Sequence, residues 1–171
     1  YRAHYVTRNL EEVFLKRELP YTIYSGVQFF SRREIKDALS YLRMAAFQDD
    51  LSFARIVNVP KRNIGEKRRR FLAEIAMKEQ CTLYEAMKRN LDDQLFQRTK
   101  ARKFVQLIED FRKGADGELV SELLAHLLDT SGYEVMLRTE GSQERLDNLA
   151  ELKQAVQEYE VSCGEEAALS D

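Results

Sequence analysis

The chain has 171 residues, 44% of them hydrophobic and 33% charged, with few Gly and Pro. That is enough for one domain with a real core, and the balance is that of a helix-rich folded chain rather than a disordered one. The net charge of -2 hides an asymmetry: residues 1–113 hold 24 Lys/Arg against 15 Asp/Glu, and residues 114–171 hold 3 against 14. A split of this kind suits the first part to a polyanion; the plainer alternative is a solvated helical surface with uneven charge.

In chain order, "RNLEEVFLKREL" places Leu10, Val13 and Phe14 at helical spacing, and Pro20 stops that helix. "YTIYSG" reads as a short strand ending at Gly26. "SRREIKDALSYLRMAAF" is the clearest helix, with Ser31 and Glu34 as a capping box and Ile35, Ala38, Leu39, Leu42 and Ala46 as one stripe. A shorter helix follows from about Asp50 to Val57. After a basic turn, Phe71, Leu72, Ile75 and Ala76 share a helical face, and Thr82 with Glu85 opens another helix through a second capping box.

A long helix is expected from about Asp93 to Lys113, with Phe104, Ile108 and Phe111 on one face, ended by Gly114 and Gly117. "ELVSELLAHLLDTSG" pairs apolar residues across a wide face and stops at Gly132. "SQERLDNLAELKQAVQEYE" keeps Leu146, Leu149, Leu152, Val156 and Tyr159 in helical register, and the acidic tail from Val161 is expected to fray. The fold class is therefore mostly α, an irregular multi-helix domain with a short strand region near the N-terminus. Leu39, Leu42, Phe71, Ile75, Phe104, Ile108, Leu124 and Leu128 are its expected core.

Several chemistries lack their residues. There is no G-x-x-x-x-G-K-[ST] phosphate loop. Cys81 and Cys163 have no Cys or His at metal spacing, and their contexts fit a reducing cytosol. His126 lies in an apolar-periodic helix and reads as a partly buried or rim residue. The acid pairs Asp49/Asp50 and Asp92/Asp93 fall where helices start, so capping explains them. No self-contained catalytic constellation emerges, and the opening Tyr1 in mid-domain-like sequence reads as an excised fragment. Apolar runs are too short to span a membrane and no signal-peptide pattern is present.

The strongest local feature is "NVPKRNIGEKRRR", Asn58 to Arg70, where six Lys/Arg face only Glu66. Pro60 ends the preceding helix, and Gly65 permits close approach of the backbone where the next helix begins. The first N–H groups of a helix lack internal partners and suit phosphate. Lys61, Arg62, Asn63, Ile64, Gly65, Lys67 and Arg68 are thus candidate contacts to a nucleic-acid backbone, independent of base sequence. The alternative is a structural turn whose arginines pair with the acidic C-terminal part.

"YRAHYVTRNLEEVF…LPYTIYSGVQFFSRREIKDALSYLR" resembles the second RecA-like domain, and its exit into an inserted subdomain, in UvrD/Rep/PcrA-type superfamily-one DNA helicases. "ARIVNVPKRNIG" is similar to their insert turn, usually Pro-x-Arg-Gly-Ile-Gly, and "DTSGYEVML" and "ERLDNLAEL" follow in the family's order. The resemblance covers nearly the whole chain. It implies a parent enzyme that separates DNA strands 3′→5′ with ATP and Mg, neither held by this fragment, which would itself be inactive. It further implies that residues 1–30 end the first half of motor domain 2A, and that residues 31–171 form a helical 2B-like subdomain, incomplete at its C-terminus.

By the same resemblance, the 2B-like region contacts duplex backbone and regulates unwinding, and Arg8 lies near the single-strand path. Duplex and single-stranded DNA, the remaining helicase domains in cis, and repair or replication proteins are the implied partners, in the cytoplasm. The rival is a protein-interaction or autoinhibitory module without DNA contact. Three departures stand out: Asn63 for the usual first Gly of the turn, Val6 for a frequent Gln, and Ser25 for a common Gly. Asn tolerates left-handed backbone, so the turn is expected to survive with altered phosphate approach.

Overall fold

A computed structural model describes residues 26–114 and 119–169, with side chains described for 28–114 and 119–162. The expected N-terminal helix, the strand at 21–24 and Arg8 lie outside the described residues. Within them the protein is helical, with no strand: α1 (Gly26–Ser31), α2 (Arg33–Phe47), α3 (Asp50–Ile56), α4 (Glu66–Glu79), α5 (Leu83–Arg89), a 3₁₀ turn (Gln94–Phe96), α6 (Ala101–Gly114), α7 (Val120–Thr130), α8 (Tyr133–Thr139) and α9 (Gln143–Leu169).

α2 is the central strut, packed against α3, α6, α7 and α9. Its sequence therefore buries more than one stripe: Ile35, Ala38 and Leu42 are buried, and so are Tyr41, Met44 and Ala45 on another side. Leu39 is only partly buried, as are Phe71 and Ile75; Phe104, Ile108, Leu124 and Leu128 are fully inside. The α4–α5 pair leans on α3 and α6, while α8 and α9 close over α7. The basic turn lies between α3 and α4.

Caps explain most boundaries. Asp49 accepts from Ser52 N at 2.9 Å to start α3, and Thr82 with Glu85 forms the expected capping box of α5. Asp93 accepts from Leu95 N at 2.9 Å, Asp50 from Leu83 N at 2.8 Å, and Asp92 pairs with Arg102 at 2.7 Å, so all four paired acids have structural employment. Gly132, with φ 80°, stops α7 in the left-handed region that glycine adopts without strain and directly begins α8.

Three expectations change. The capping box at Ser31/Glu34 does not form: Ser31 Oγ donates to Gln28 O at 2.7 Å, and Glu34 is buried, accepting from Asn148 Nδ2 at 2.7 Å. An additional helix, α1, precedes α2, so Ser31 ends one helix rather than capping the next. The single helix over 93–113 is broken, because Asp93 caps a short 3₁₀ turn and Thr99 Oγ1 accepts from Ala101 N at 3.2 Å to begin α6 afresh. The tail from Val161 continues α9 as far as Leu169 instead of fraying there.

A polar network crosses the interior. The Tyr133 hydroxyl donates to buried Asp37 at 2.7 Å, and Arg55 pairs with the same carboxylate at 2.8 Å. Arg32 donates to Asn148 Oδ1 at 2.6 Å, which in turn serves Glu34. Each partner comes from a distant part of the chain, so the network fixes how α8 and α9 seat on α2. Its buried carboxylates are paired, which is the condition under which buried charge is tolerated, although Arg55 Nε meets Asp37 as an ion pair without a well-aligned hydrogen bond.

Candidate nucleic-acid interface

The turn after α3 is organised from inside by Asn58. Its Oδ1 accepts from Arg62 N at 2.8 Å and from Ile64 N at 3.1 Å, wrapping residues 58–64 around one side-chain oxygen. The Val59–Pro60 peptide is cis. Asn63 sits at φ 62°, so the residue that replaces the resemblance's glycine does occupy left-handed backbone, and its Nδ2 donates to Arg98 O at 3.0 Å. Lys100 N donates to Arg62 O at 3.0 Å. The turn is therefore laced to the segment before α6, far away in sequence.

The structure sorts the expected contact residues into two sets. Lys61, Asn63 and Lys67 are exposed. Gly65 is the N-cap of α4 at φ -79° and ψ -167°, a conformation open to any residue, and a Cβ built there meets nothing within 4 Å. Among the described residues no side chain caps α4, so the N–H groups of its first turn lack a side-chain partner. These are the atoms a phosphate could use.

Arg62 and Ile64 belong to the protein interior. Ile64 is fully buried and its N–H is spent on Asn58. Arg62 is only 6% exposed, which corrects the expectation that its charge reaches a phosphate. Its Nη1 donates to Ile56 O at 2.8 Å and Val57 O at 3.3 Å, and its Nη2 to Tyr41 Oη at 2.7 Å and Ser131 O at 3.3 Å. The guanidinium lies 4.9 Å from the Phe104 ring centroid and 5.9 Å from that of Tyr41.

The Tyr41 hydroxyl in turn donates a hydrogen bond to Val59 O at 2.6 Å, and burial pushes its pKa up against the pull of Arg62. Arg62 thus ties α3, α2, α6 and the α7–α8 junction together. Arg68 is half-buried and its Nε donates to Leu95 O, fastening α4 to the 3₁₀ turn.

Pairing separates the cations further. Arg70 bonds Glu66 at 2.9 Å, Arg89 bonds Glu79 at 3.1 Å, and Lys88 and Arg112 flank Glu109 at 3.1 and 3.4 Å. Among the described residues no ion pair joins the 58–70 segment to the acidic C-terminal part, contrary to the structural alternative weighed above. Arg62 reaches that part of the chain through a hydrogen bond to the Ser131 carbonyl at 3.3 Å.

Three cations escaped the sequence reading: Arg98, Lys100 and Lys103. The run "RTKARK" was visible, but it fell inside what reads as one continuous helix, and nothing linear connects it to residue 62. In the fold, Lys100 and Lys103 share with Arg62 the lining of a half-open cavity of about 520 Å³, floored by Phe104, Leu107 and Phe111. His126 stands on the far rim, edge-on to Phe111 at 5.0 Å, in the rim role expected for it.

The described residues thus form a mostly helical domain in which an Asn-organised basic turn leads into a helix without a side-chain cap. The chain belongs to the UvrD-like helicase C-terminal domain family, whose model matches residues 1–170. It is 36% identical over 168 residues to the ATP-dependent DNA helicase PcrA of Staphylococcus epidermidis strain RP62A, a match that covers 94% of this chain and 23% of that protein. The PcrA helicase of Staphylococcus aureus strain Mu50 is 34% identical over the same length and coverage. The chain therefore spans less than a quarter of these relatives.

Proposed function

We propose that this chain is the 2B-like portion of an ATP-dependent 3′→5′ DNA helicase and that it holds duplex DNA by its backbone while regulating the motor. ATP and Mg belong to other parts of the parent protein, since this sequence has no phosphate loop. We place the boundary between the 2A piece and the 2B-like subdomain at residues 30 and 31, and Arg8 near the single-strand path. The remaining helicase domains act in cis; repair or replication proteins are further partners, in the cytoplasm. One observation chiefly supports the reading: α4 begins without a side-chain cap at Gly65, between exposed Lys61 and Lys67 that form no ion pair among the described residues.

The contact set differs from the sequence expectation by three side chains, Arg62, Ile64 and Arg68. Lys61 and Lys67 supply mobile charge, Asn63 shapes the turn, and Gly65 leaves room for a phosphate to reach the first N–H groups of α4. Arg62 and Ile64 hold the turn from beneath, and Arg68 holds α4.

Duplex affinity measured at several salt concentrations tests this. Replacing both Lys61 and Lys67 by Ala should flatten the slope of log K against log salt by up to about two units. Gly65→Ala should leave stability nearly unchanged, because its Cβ meets nothing, yet weaken duplex binding by occupying the approach. If the double variant keeps the affinity and slope of the parent, the rival interaction module takes the place of this reading.

A further inference from the structure

We propose that the segment Arg98–Lys103, at the start of α6, is a second phosphate-contact arm for duplex DNA, locked to the first turn so that the two act as one surface. This rests on the duplex-binding reading above and extends it to residues that the motif does not contain.

Three observations carry it. First, Arg98, Lys100 and Lys103 are exposed and, like Lys61, Lys67 and Arg69, make no ion pair among the described residues. Their neighbour Arg102 is by contrast tied to Asp92 at 2.7 Å. Six cations without an ion pair among the described residues thus come from two short segments, whereas Lys36, Lys78 and Lys113, the other exposed lysines without one, are scattered singly along the chain.

Second, the segments are joined by backbone-directed hydrogen bonds: Asn63 Nδ2 to Arg98 O at 3.0 Å, and Lys100 N to Arg62 O at 3.0 Å. One runs from the Asn63 side chain to main chain and the other between main chains, and neither uses a cationic end. Arg68, bonded to Leu95 O, adds a third tie just upstream. Third, the buried Arg62 between the segments is bonded to neutral oxygens, with no carboxylate partner among the described residues. Its charge is not cancelled locally, and it adds to the field at both arms.

Clustered, unpaired, exposed Lys and Arg on a rigid support match phosphates spaced along a duplex; they offer no fixed donor pattern for reading bases. The partner is therefore the DNA backbone, and the preference is for strand charge rather than sequence.

The test uses the full 171-residue chain and a short blunt DNA duplex, titrated between 50 and 200 mM salt. An R98A/K100A/K103A variant removes the second arm, K61A/K67A removes the two lysines of the first, and K36A/K78A/K113A removes three other exposed lysines without an ion pair among the described residues. The first-arm and second-arm variants should each weaken binding, and the second-arm variant should flatten the salt slope by up to about 2.7 units, equivalent to about 40-fold less loss over that range. The remote triple should change the slope by less than one unit.

If K61A/K67A weakens binding but R98A/K100A/K103A does not, the second arm is refuted and the duplex reading stands. If the remote triple matches the second-arm triple, charge alone is acting and the arm is again refuted. If neither arm matters, the duplex reading itself fails. Unchanged circular dichroism of each variant separates these outcomes from unfolding; Lys100→Gln alone, which keeps the backbone bond to Arg62 O, supplies a milder variant that should still lose about one unit of slope.

Discussion

Replacing Arg62 by Met should destabilise the protein by about 3 kcal/mol. The stem of the side chain is preserved, so the loss isolates the guanidinium. Ile56 O keeps a second donor, Val59 N at 3.0 Å, and the Tyr41 hydroxyl still donates to Val59 O. Val57 O and Ser131 O lose the guanidinium that serves them. Leaving a buried acceptor without a partner costs roughly 1–3 kcal/mol each. Loss of the cation over Phe104 at 4.9 Å adds about 0.5–2 kcal/mol, and relief of the desolvated charge returns part of the sum.

For a chain of this size, a loss near 3 kcal/mol lowers the melting temperature by about 10 °C. Urea denaturation followed by helical circular dichroism measures it. Arg62→Lys should not rescue, because an ammonium cannot address carbonyls of α3, the α7–α8 junction and a tyrosine at once. Lys61→Ala, one residue away but exposed, should change stability by less than about 0.5 kcal/mol. The reasoning fails if Arg62→Met loses under about 1 kcal/mol, or if Arg62→Lys equals the parent.

At Asn63, with φ 62°, Val should cost about 1–2 kcal/mol and Gly should be nearly neutral, since Gly relieves the backbone while forfeiting the bond to Arg98; paired thermal melts decide it. Burial, together with the bond to Asp37, raises the Tyr133 pKa, and burial with the bond to Glu109 raises that of Tyr84. A raised folded value means their contribution is intact below the ordinary tyrosine pKa near 10 and is lost above it, so Tyr133→Phe should flatten the alkaline fall in stability while lowering stability at neutral pH by about 1–3 kcal/mol. For Asp49, burial raises the pKa, but the Ser52 N–H and Arg43 outweigh it and the net shift is downward. Its contribution is therefore complete above about pH 4 and lost as pH falls further; Asp49→Ala should remove about 1 kcal/mol at pH 7 and less in acid, read from denaturation at each pH.

Helix type and most helix ends were written locally. The capping residues Asp49 and Thr82, the glycine at 132 and the apolar spacing of Phe104, Ile108 and Phe111 act within one or two turns of chain, so short-range pattern suffices to read them. The basic turn was equally plain, because Pro60 constrains its own backbone, Asn63 suits the left-handed region and the surrounding charges are contiguous. What no local pattern holds is which way a long side chain points. Arg62 and Lys61 are neighbours of the same charge, yet the acceptors that draw Arg62 inward come from residues 41, 56, 57 and 131, and only packing brings them together. The same holds for Glu34, taken from its capping role by Asn148, and for Arg98 and Lys100, carried to the turn by hydrogen bonds across 35 and 38 residues of chain. Burial of charge is set by the balance of desolvation against partners, and those partners exist only once distant segments have met.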